Sequence, residues 1–141
     1  DLTNELHARI TRERLPMLYS LSHCLLAARA YGLAIVDGVH LDMQDMTGFE
    51  YACRMSRDLG FDGKSIIHPD QVAYANDAFT PSPASIERAR KIIAAWDAAN
   101  AEGYGVTVVE GRLVETLHVE SAYRTLMIHE MIEAMATEAH T

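Results

Sequence analysis

The sequence has no long apolar run, no basic excess and no glycine-rich phosphate loop. No apolar stretch approaches the roughly 20 residues of a membrane-spanning helix. With 12 Lys and Arg against 20 Asp and Glu, the net charge is −8, which argues against a general nucleic-acid binder because phosphates require basic side chains. Neither a GxGxxG motif nor a Walker-type loop is present, so a nucleotide-binding fold is not indicated. We therefore expect neither a membrane nor a nucleic acid as a partner.

Cysteine is also scarce. Cys24 and Cys53 are far apart and, with the scattered histidines, lack the spacing of a zinc site. Both lie in apolar helical patterns, so we expect buried, reduced thiols and a cytoplasmic protein. The sequence as a whole has 49% hydrophobic and 23% charged residues, which is the composition of an ordinary globular domain.

The first half of the chain alternates helical and strand patterns. Three helices are predicted, at residues 13–31, 47–59 and 70–78. Two short apolar strands separate them, at residues 33–36 and 64–67. Gly32 and Gly60 are expected to end the first two helices, and Thr47 with Glu50 has the spacing of a capping box. This order predicts parallel strands joined by right-handed crossovers, and so an α/β fold.

The second half begins at the one clear boundary, residues 80–83. Ser82 is a suitable helix cap, and Pro83 fits the first helical position, where its missing N–H costs nothing. A long helix, a hairpin turning at Glu110-Gly111 and a final helix are predicted to follow. Because an isolated hairpin is marginally stable, we expect it to lie on the first domain or on a neighbouring subunit.

Candidate site residues lie where the predicted parallel strands end, since the carboxyl ends of such strands carry the chemistry of α/β folds. Asp37 ends the first strand, where it serves either a site or the Asp-Gly turn itself. His68 and Pro69 end the second strand. An imidazole can donate or accept a hydrogen bond at neutral pH, although beside a proline it equally suits holding the turn. Lys64 is expected to begin that strand, away from the site.

A family resemblance is carried by the motifs Gly-Phe-Asp-Gly-Lys and Ile-His-Pro, followed by Gln71, Asn76 and the segment Phe-Thr-Pro-Ser. Together they resemble the C-terminal half of the citrate lyase β-subunit and malyl-CoA lyase family of the HpcH/HpaI aldolase superfamily. The resemblance implies the C-terminal portion of a TIM (β/α)8 barrel over residues 1–80. An α-β-β-α extension over residues 81–141 then packs on a neighbouring subunit. A complete barrel needs roughly 250 residues, more than this chain has.

The resemblance also implies a function. Members are Mg²⁺-dependent carbon–carbon lyases that cleave a 3-hydroxyacyl-CoA thioester of the malyl, citramalyl or citryl type by a retro-aldol or retro-Claisen reaction. We therefore expect Mg²⁺ as cofactor, a CoA thioester as substrate and a homo-oligomer, trimeric or hexameric. A malyl-CoA thioesterase and a non-catalytic assembly fragment remain alternatives.

Five residues receive roles from this resemblance and from their positions at strand ends. Asp1 matches an aspartate that binds Mg²⁺, an ion that prefers hard oxygen ligands. His68, Pro69 and Asp37 are assigned to CoA binding. Glu115 ends a Gly-Arg-Leu-Val-Glu motif in which the family carries an acid–base aspartate into a neighbouring subunit's site. The same glutamate is otherwise an acid stabilised by the dipole of the last helix.

Overall fold

The computed structural model describes residues 2–138, which divide into two compact units between Phe79 and Thr80. The first unit contains α1 (Leu2–Glu5), α2 (Leu18–Ala30), β1 (Val36–Asp37), α3 (Met46–Leu59), β2 (Gly63–Lys64) and α4 (Val72–Phe79). Two 3-10 turns, Leu15–Met17 and Pro69–Gln71, precede α2 and α4. The alternation of helices and strands is that of an α/β protein, as predicted.

The two short strands of the first unit are parallel. Val36 pairs with Gly63 and Asp37 with Lys64, which agrees with the predicted crossover. The strand bounds differ from the prediction, because the chain after β2 leaves the ladder early. Ile66 and Ile67 are 40% and 50% exposed and are not part of a buried strand.

Helix α3 begins one residue earlier than the sequence pattern indicated. The carboxylate of Asp45 accepts a hydrogen bond from the backbone N–H of Gly48 at 2.8 Å and so caps the helix. The predicted capping box is therefore wrong, and Glu50 instead pairs with Arg54 one turn later. A Cβ at position 48 would lie 2.0 Å from Asp45 Oδ2, so any residue other than glycine there would displace the capping carboxylate.

The core of the first unit is small and lies between α3 and α4. Phe49, Cys53 and Ala78 are buried together. Burial raises the pKa of the Cys53 thiol, which keeps it protonated and apolar, as expected of a packing residue. Cys24, by contrast, is exposed, so the expectation that both thiols are buried is wrong. Helix α2 contains no fully buried residue, which is why an apolar helical pattern did not bury its cysteine.

The second unit contains α5 (Pro83–Ala101), β3 (Thr107–Val109), β4 (Arg112–Val114) and α6 (Thr116–Glu138). The side chain of Ser82 caps α5 by accepting from the N–H of Ser85, and Pro83 is the first helical residue, as predicted. The strands form an antiparallel hairpin whose turn places Glu110 and Gly111 at positive φ, the geometry that an Xaa-Gly pair favours.

The hairpin obtains its supporting surface within its own unit, which corrects the expectation of an outside surface. Val109 and Val114 are buried in a cluster with residues of α5 and α6, namely Ala89, Ile92, Val119 and Ala122. At the turn, Glu110 forms ion pairs with Arg88 and Lys91 of α5. Val108 and Leu113, on the other face of the hairpin, stay exposed.

Over residues 2–138, no helix has the combination of length and apolar character needed to cross a membrane.

Candidate functional site

An ion-pair cluster lies at the carboxyl end of β1 in the first unit. Asp37 is buried, and Arg14 donates to both of its oxygens, at 2.6 and 2.8 Å, in a bidentate pair. Lys64 donates to Oδ2 at 2.8 Å, and Ser56 of α3 donates to the same oxygen. We call these four residues the Asp37 cluster. It joins the segment before α2 to β1, β2 and α3.

The cluster sets the charge state of Asp37. Burial by itself raises the pKa of the carboxyl group, but the hydrogen bonds from Arg14, Lys64 and Ser56 outweigh it and hold the pKa well below its usual range. Asp37 is therefore a carboxylate at neutral pH. Both of its oxygens are occupied by donors of the chain, so the structure gives Asp37 a joining role, and its role in CoA binding stays a prediction.

Lys64 is part of this cluster because it ends β2 rather than beginning it. The register places it beside Asp37, and its side chain is 2% exposed. Its ammonium group also donates to the carbonyl of Gly38, the first residue after β1. The expectation that Lys64 begins its strand was wrong, since β2 ends three residues earlier than the pattern indicated.

Side-chain alternation separates the two faces of β1. Asp37 is directed toward α3, where Ser56 contacts it. Successive strand residues point to opposite faces, so Val36 lies on the other face, where it is 58% exposed. Asp37 thus belongs to the layer between strand and helix.

A second polar contact joins the loops that follow β1 and β2. The side chain of Gln71 is fully buried. Its Oε1 accepts from the N–H of Ile67 at 2.9 Å, and its Nε2 donates to the carbonyl of His40 at 3.3 Å and lies 3.5 Å from the sulfur of Met43. Sequence reasoning quoted Gln71 only as part of a resemblance and missed these contacts. A buried side-chain amide that hydrogen-bonds to the backbone of two loops fixes their relative positions.

His68 and Pro69 form the turn after β2. The ring Nδ1 of His68 accepts from the N–H of Asp70 at 3.2 Å and caps the 3-10 turn that Pro69 opens. The imidazole is exposed and lies 3.5 Å from the Asp70 carboxylate. The local contacts fit the turn-holding interpretation, and contact with CoA stays a prediction for both residues.

Glu115 lies in the second unit, immediately before α6. Its carbonyl accepts from the N–H groups of His118 and Val119, and its own N–H donates to His118 Nδ1 at 3.1 Å. The side chain is exposed. A carboxylate at this position is stabilised by the positive end of the helix dipole, and exposure also leaves it accessible to a partner. Its acid–base role stays a prediction.

The predicted Mg²⁺ ligand Asp1 lies outside the described residues. Within residues 2–138, no three His, Cys, Asp or Glu side chains come together in a way that could hold a metal ion. The described part of the chain does not by itself form the site that the resemblance implies.

Comparison with known proteins agrees with the arrangement of short parallel strands and helices. A family model described as HpcH/HpaI aldolase/citrate lyase matches residues 1–69. A (3S)-malyl-CoA thioesterase from Cereibacter sphaeroides is 50% identical over 134 residues, 95% of this chain. Residues 1–69, the part that the family model matches, belong to the HpcH/HpaI aldolase/citrate lyase family. The chain as a whole spans 47% of the length of that thioesterase.

Two further proteins are similar to this chain. The L-malyl-CoA/beta-methylmalyl-CoA lyase of Cereibacter sphaeroides is 43% identical over 119 residues, 84% of this chain and 37% of the lyase. The crystal structure of CitE from Mycobacterium tuberculosis, in complex with magnesium, acetoacetate and coenzyme A, superposes with a TM-score of 0.65 at 33% identity. That match covers 78% of this chain and 40% of CitE.

Proposed function

We propose that this chain is the carboxyl-terminal part of a barrel enzyme that acts on a CoA thioester of the malyl type. The similarity to a (3S)-malyl-CoA thioesterase over 95% of the chain carries the proposal. The polar contacts at the carboxyl ends of β1 and β2 support it, because that edge of a parallel sheet is where ligands bind.

Two reactions are candidates, and we place hydrolysis ahead of carbon–carbon cleavage because the thioesterase is 50% identical and the lyase 43%. In hydrolysis, water attacks the thioester carbonyl, the C–S bond breaks, and the products are malate and free CoA. In lyase cleavage, the 3-hydroxyl loses its proton, the C2–C3 bond breaks, and C2 takes up a proton to give acetyl-CoA and glyoxylate. The lyase was the reaction expected from the sequence.

Each candidate residue of this chain has a proposed role in the reaction. Glu115 serves as the acid–base group, acting in a neighbouring subunit's site: it accepts a proton from the attacking water or donates one to the acetyl α-carbon. His68 and Pro69 contact CoA at the mouth, and Asp37 acts there through the cluster around it. In the whole protein, Asp1 and a carboxylate from outside this chain would hold Mg²⁺, and the ion would supply polarisation of carbonyl oxygens. A cytoplasmic location remains a proposal.

A product-resolved assay tests this function. The complete protein is incubated with (3S)-malyl-CoA and Mg²⁺, and free thiol and glyoxylate are measured separately. We expect turnover on the order of 1 s⁻¹ or faster, with thiol release in the absence of glyoxylate. Glyoxylate in equal amount to substrate consumed would instead assign the lyase reaction. If the complete protein yields neither product, the proposal is wrong.

A neighbouring subunit is the proposed occupant of the exposed side of α6. Tyr123, Met127, Met131 and Met135 recur every four residues and are at least half exposed. This spacing places them on one side of the helix. A row of large apolar side chains on one helix face is typical of an interface, which supports the proposed homo-oligomer.

The interface can be tested by charge insertion. The double substitution Met127→Glu and Met131→Glu should dissociate the oligomer, because burying an unpaired carboxylate is costly. Light scattering coupled to gel filtration measures the mass. Ser121→Glu, at an exposed polar position of the same helix, is the matched control and should leave the mass unchanged. An unchanged mass in the double variant would contradict the proposed interface.

A further inference from the structure

The segment between α1 and the first 3-10 turn, residues 6–14, has few apolar contacts of its own. None of its residues is buried. Its backbone hydrogen bonds are local, such as those from the N–H of Ala8 to the carbonyl of Thr3 in α1 and from the N–H of Arg14 to the carbonyl of Thr11. A segment of this kind is free to change shape unless longer-range contacts hold it.

Two cations provide those longer-range contacts. Arg14 forms the bidentate pair with Asp37 at the carboxyl end of β1. Arg12 lies 5.0 Å from the centre of the Tyr51 ring on α3, a more exposed contact. The Arg14 pair is the stronger one, because both partners are largely shielded from water and two parallel hydrogen bonds fix its geometry. Through it, the segment lies at the strand edge where the substrate is proposed to bind.

The backbone at Arg14 also indicates a fixed position. Its φ is 55° and its ψ 26°, in the left-handed region that residues other than glycine adopt only where surrounding contacts hold them. The Arg14 carbonyl then accepts from the N–H of Met17 and starts the turn that leads into α2. The ion pair and the turn therefore determine together the direction in which residues 6–13 run.

We propose that Arg14 is a positioning residue: its ion pair with Asp37 holds residues 6–13 at the carboxyl ends of the strands in the shape that receives the acyl-CoA substrate. This inference rests on the proposed function. The cluster has two cations for one carboxylate, so the fold does not need Arg14 for charge balance. Lys64 alone neutralises Asp37, so the additional ion pair of Arg14 serves to hold the segment that contains Arg14.

The excess cation provides a matched pair of variants. Arg14→Met leaves Asp37 paired with Lys64, and Lys64→Met leaves it paired with Arg14. Each removes one cation from the same carboxylate, and Lys64→Met also removes the hydrogen bond to the Gly38 carbonyl. Both should therefore lower Tm, but only Arg14→Met releases residues 6–13. We expect its kcat/KM for malyl-CoA to fall on the order of 10–100-fold, mainly through KM, as for a displaced binding segment. The value should lie well below that of Lys64→Met, which leaves Arg14 and residues 6–13 in place. Arg14→Lys should restore part of the loss, because lysine keeps the charge without the two-pronged geometry.

Hydrogen–deuterium exchange reports the position of the segment without relying on activity. Peptides covering residues 6–14 should exchange faster in Arg14→Met than in the wild-type and Lys64→Met proteins. Unchanged exchange in Arg14→Met would overturn the proposal, as would faster exchange with kcat/KM equal to that of Lys64→Met. If the wild-type protein does not turn over malyl-CoA, the proposed function fails by itself, and the exchange comparison then decides whether Arg14 holds the segment.

Discussion

Glu115→Gln should slow turnover of the acyl-CoA substrate by about 10²–10⁴-fold, the usual weight of one acid–base group. Glutamine keeps the size and hydrogen-bonding atoms of glutamate but cannot exchange a proton. The exposed carboxylate at the start of α6 forms no side-chain contact on which the fold depends, so Tm should change little. Steady-state kinetics of the complete protein with (3S)-malyl-CoA measure the effect, and CoA affinity should stay the same.

Glu115→Asp is the more telling companion variant, because it introduces the residue that the resemblance implies for this position and shortens the side chain by one methylene. If the site is adapted to glutamate, the aspartate variant should also be slower than the wild-type protein. Glu120→Gln changes an exposed glutamate one turn further along α6 and is the control. A rate for Glu115→Gln within about threefold of the wild type would leave Glu115 as a helix-start acid only.

Asp37→Asn should lower the free energy of unfolding by about 3–5 kcal/mol, the cost of removing one partner from a buried ion pair. The substitution keeps the shape of the side chain but leaves Arg14 and Lys64 without their shared carboxylate. Asp58→Asn is the matched control, because Asp58 pairs with Arg57 on the surface, where such pairs contribute about 0–1 kcal/mol. Chemical denaturation of both variants measures the difference. A loss of the same size in both would mean that the cluster contributes no more than a surface pair.

The same carboxylate predicts a dependence on pH. The pKa of Asp37 in the folded protein lies below the value of about 3.9 in an unfolded chain, so its contribution is complete above that value and is lost as the pH falls toward the folded pKa. The stability difference between the wild-type protein and Asp37→Asn should therefore be constant above about pH 5 and narrow below about pH 4. Denaturation curves for both proteins at several pH values measure it. A difference that does not narrow on acidification would contradict the assignment of Asp37 as the buried charge.

Local chemistry explains which elements could be predicted. Ser82 and Pro83 at the start of α5, Gly60 at the end of α3 and the turn at Glu110-Gly111 depend on residues within about four positions of each other, and all were found as expected. The cap of α3 was missed although it is equally local. Asp45 and Thr47 both fit a helix start, and only the close approach of the Asp45 carboxylate to Gly48 distinguishes them.

Sequence patterns predicted the α/β order, the boundary near residue 80 and, through short motifs, the family. These depend on hydrophobic periodicity and on residues close together along the chain, which are visible without a fold. The fold was needed to show that Asp37 is joined to Arg14, Ser56 and Lys64, which lie 19 to 27 positions away. It was likewise needed to show that Gln71 bonds to His40, 31 positions away. Such contacts depend on how strands and helices pack against each other. At other places on a fold, the same polar side chains would be solvated.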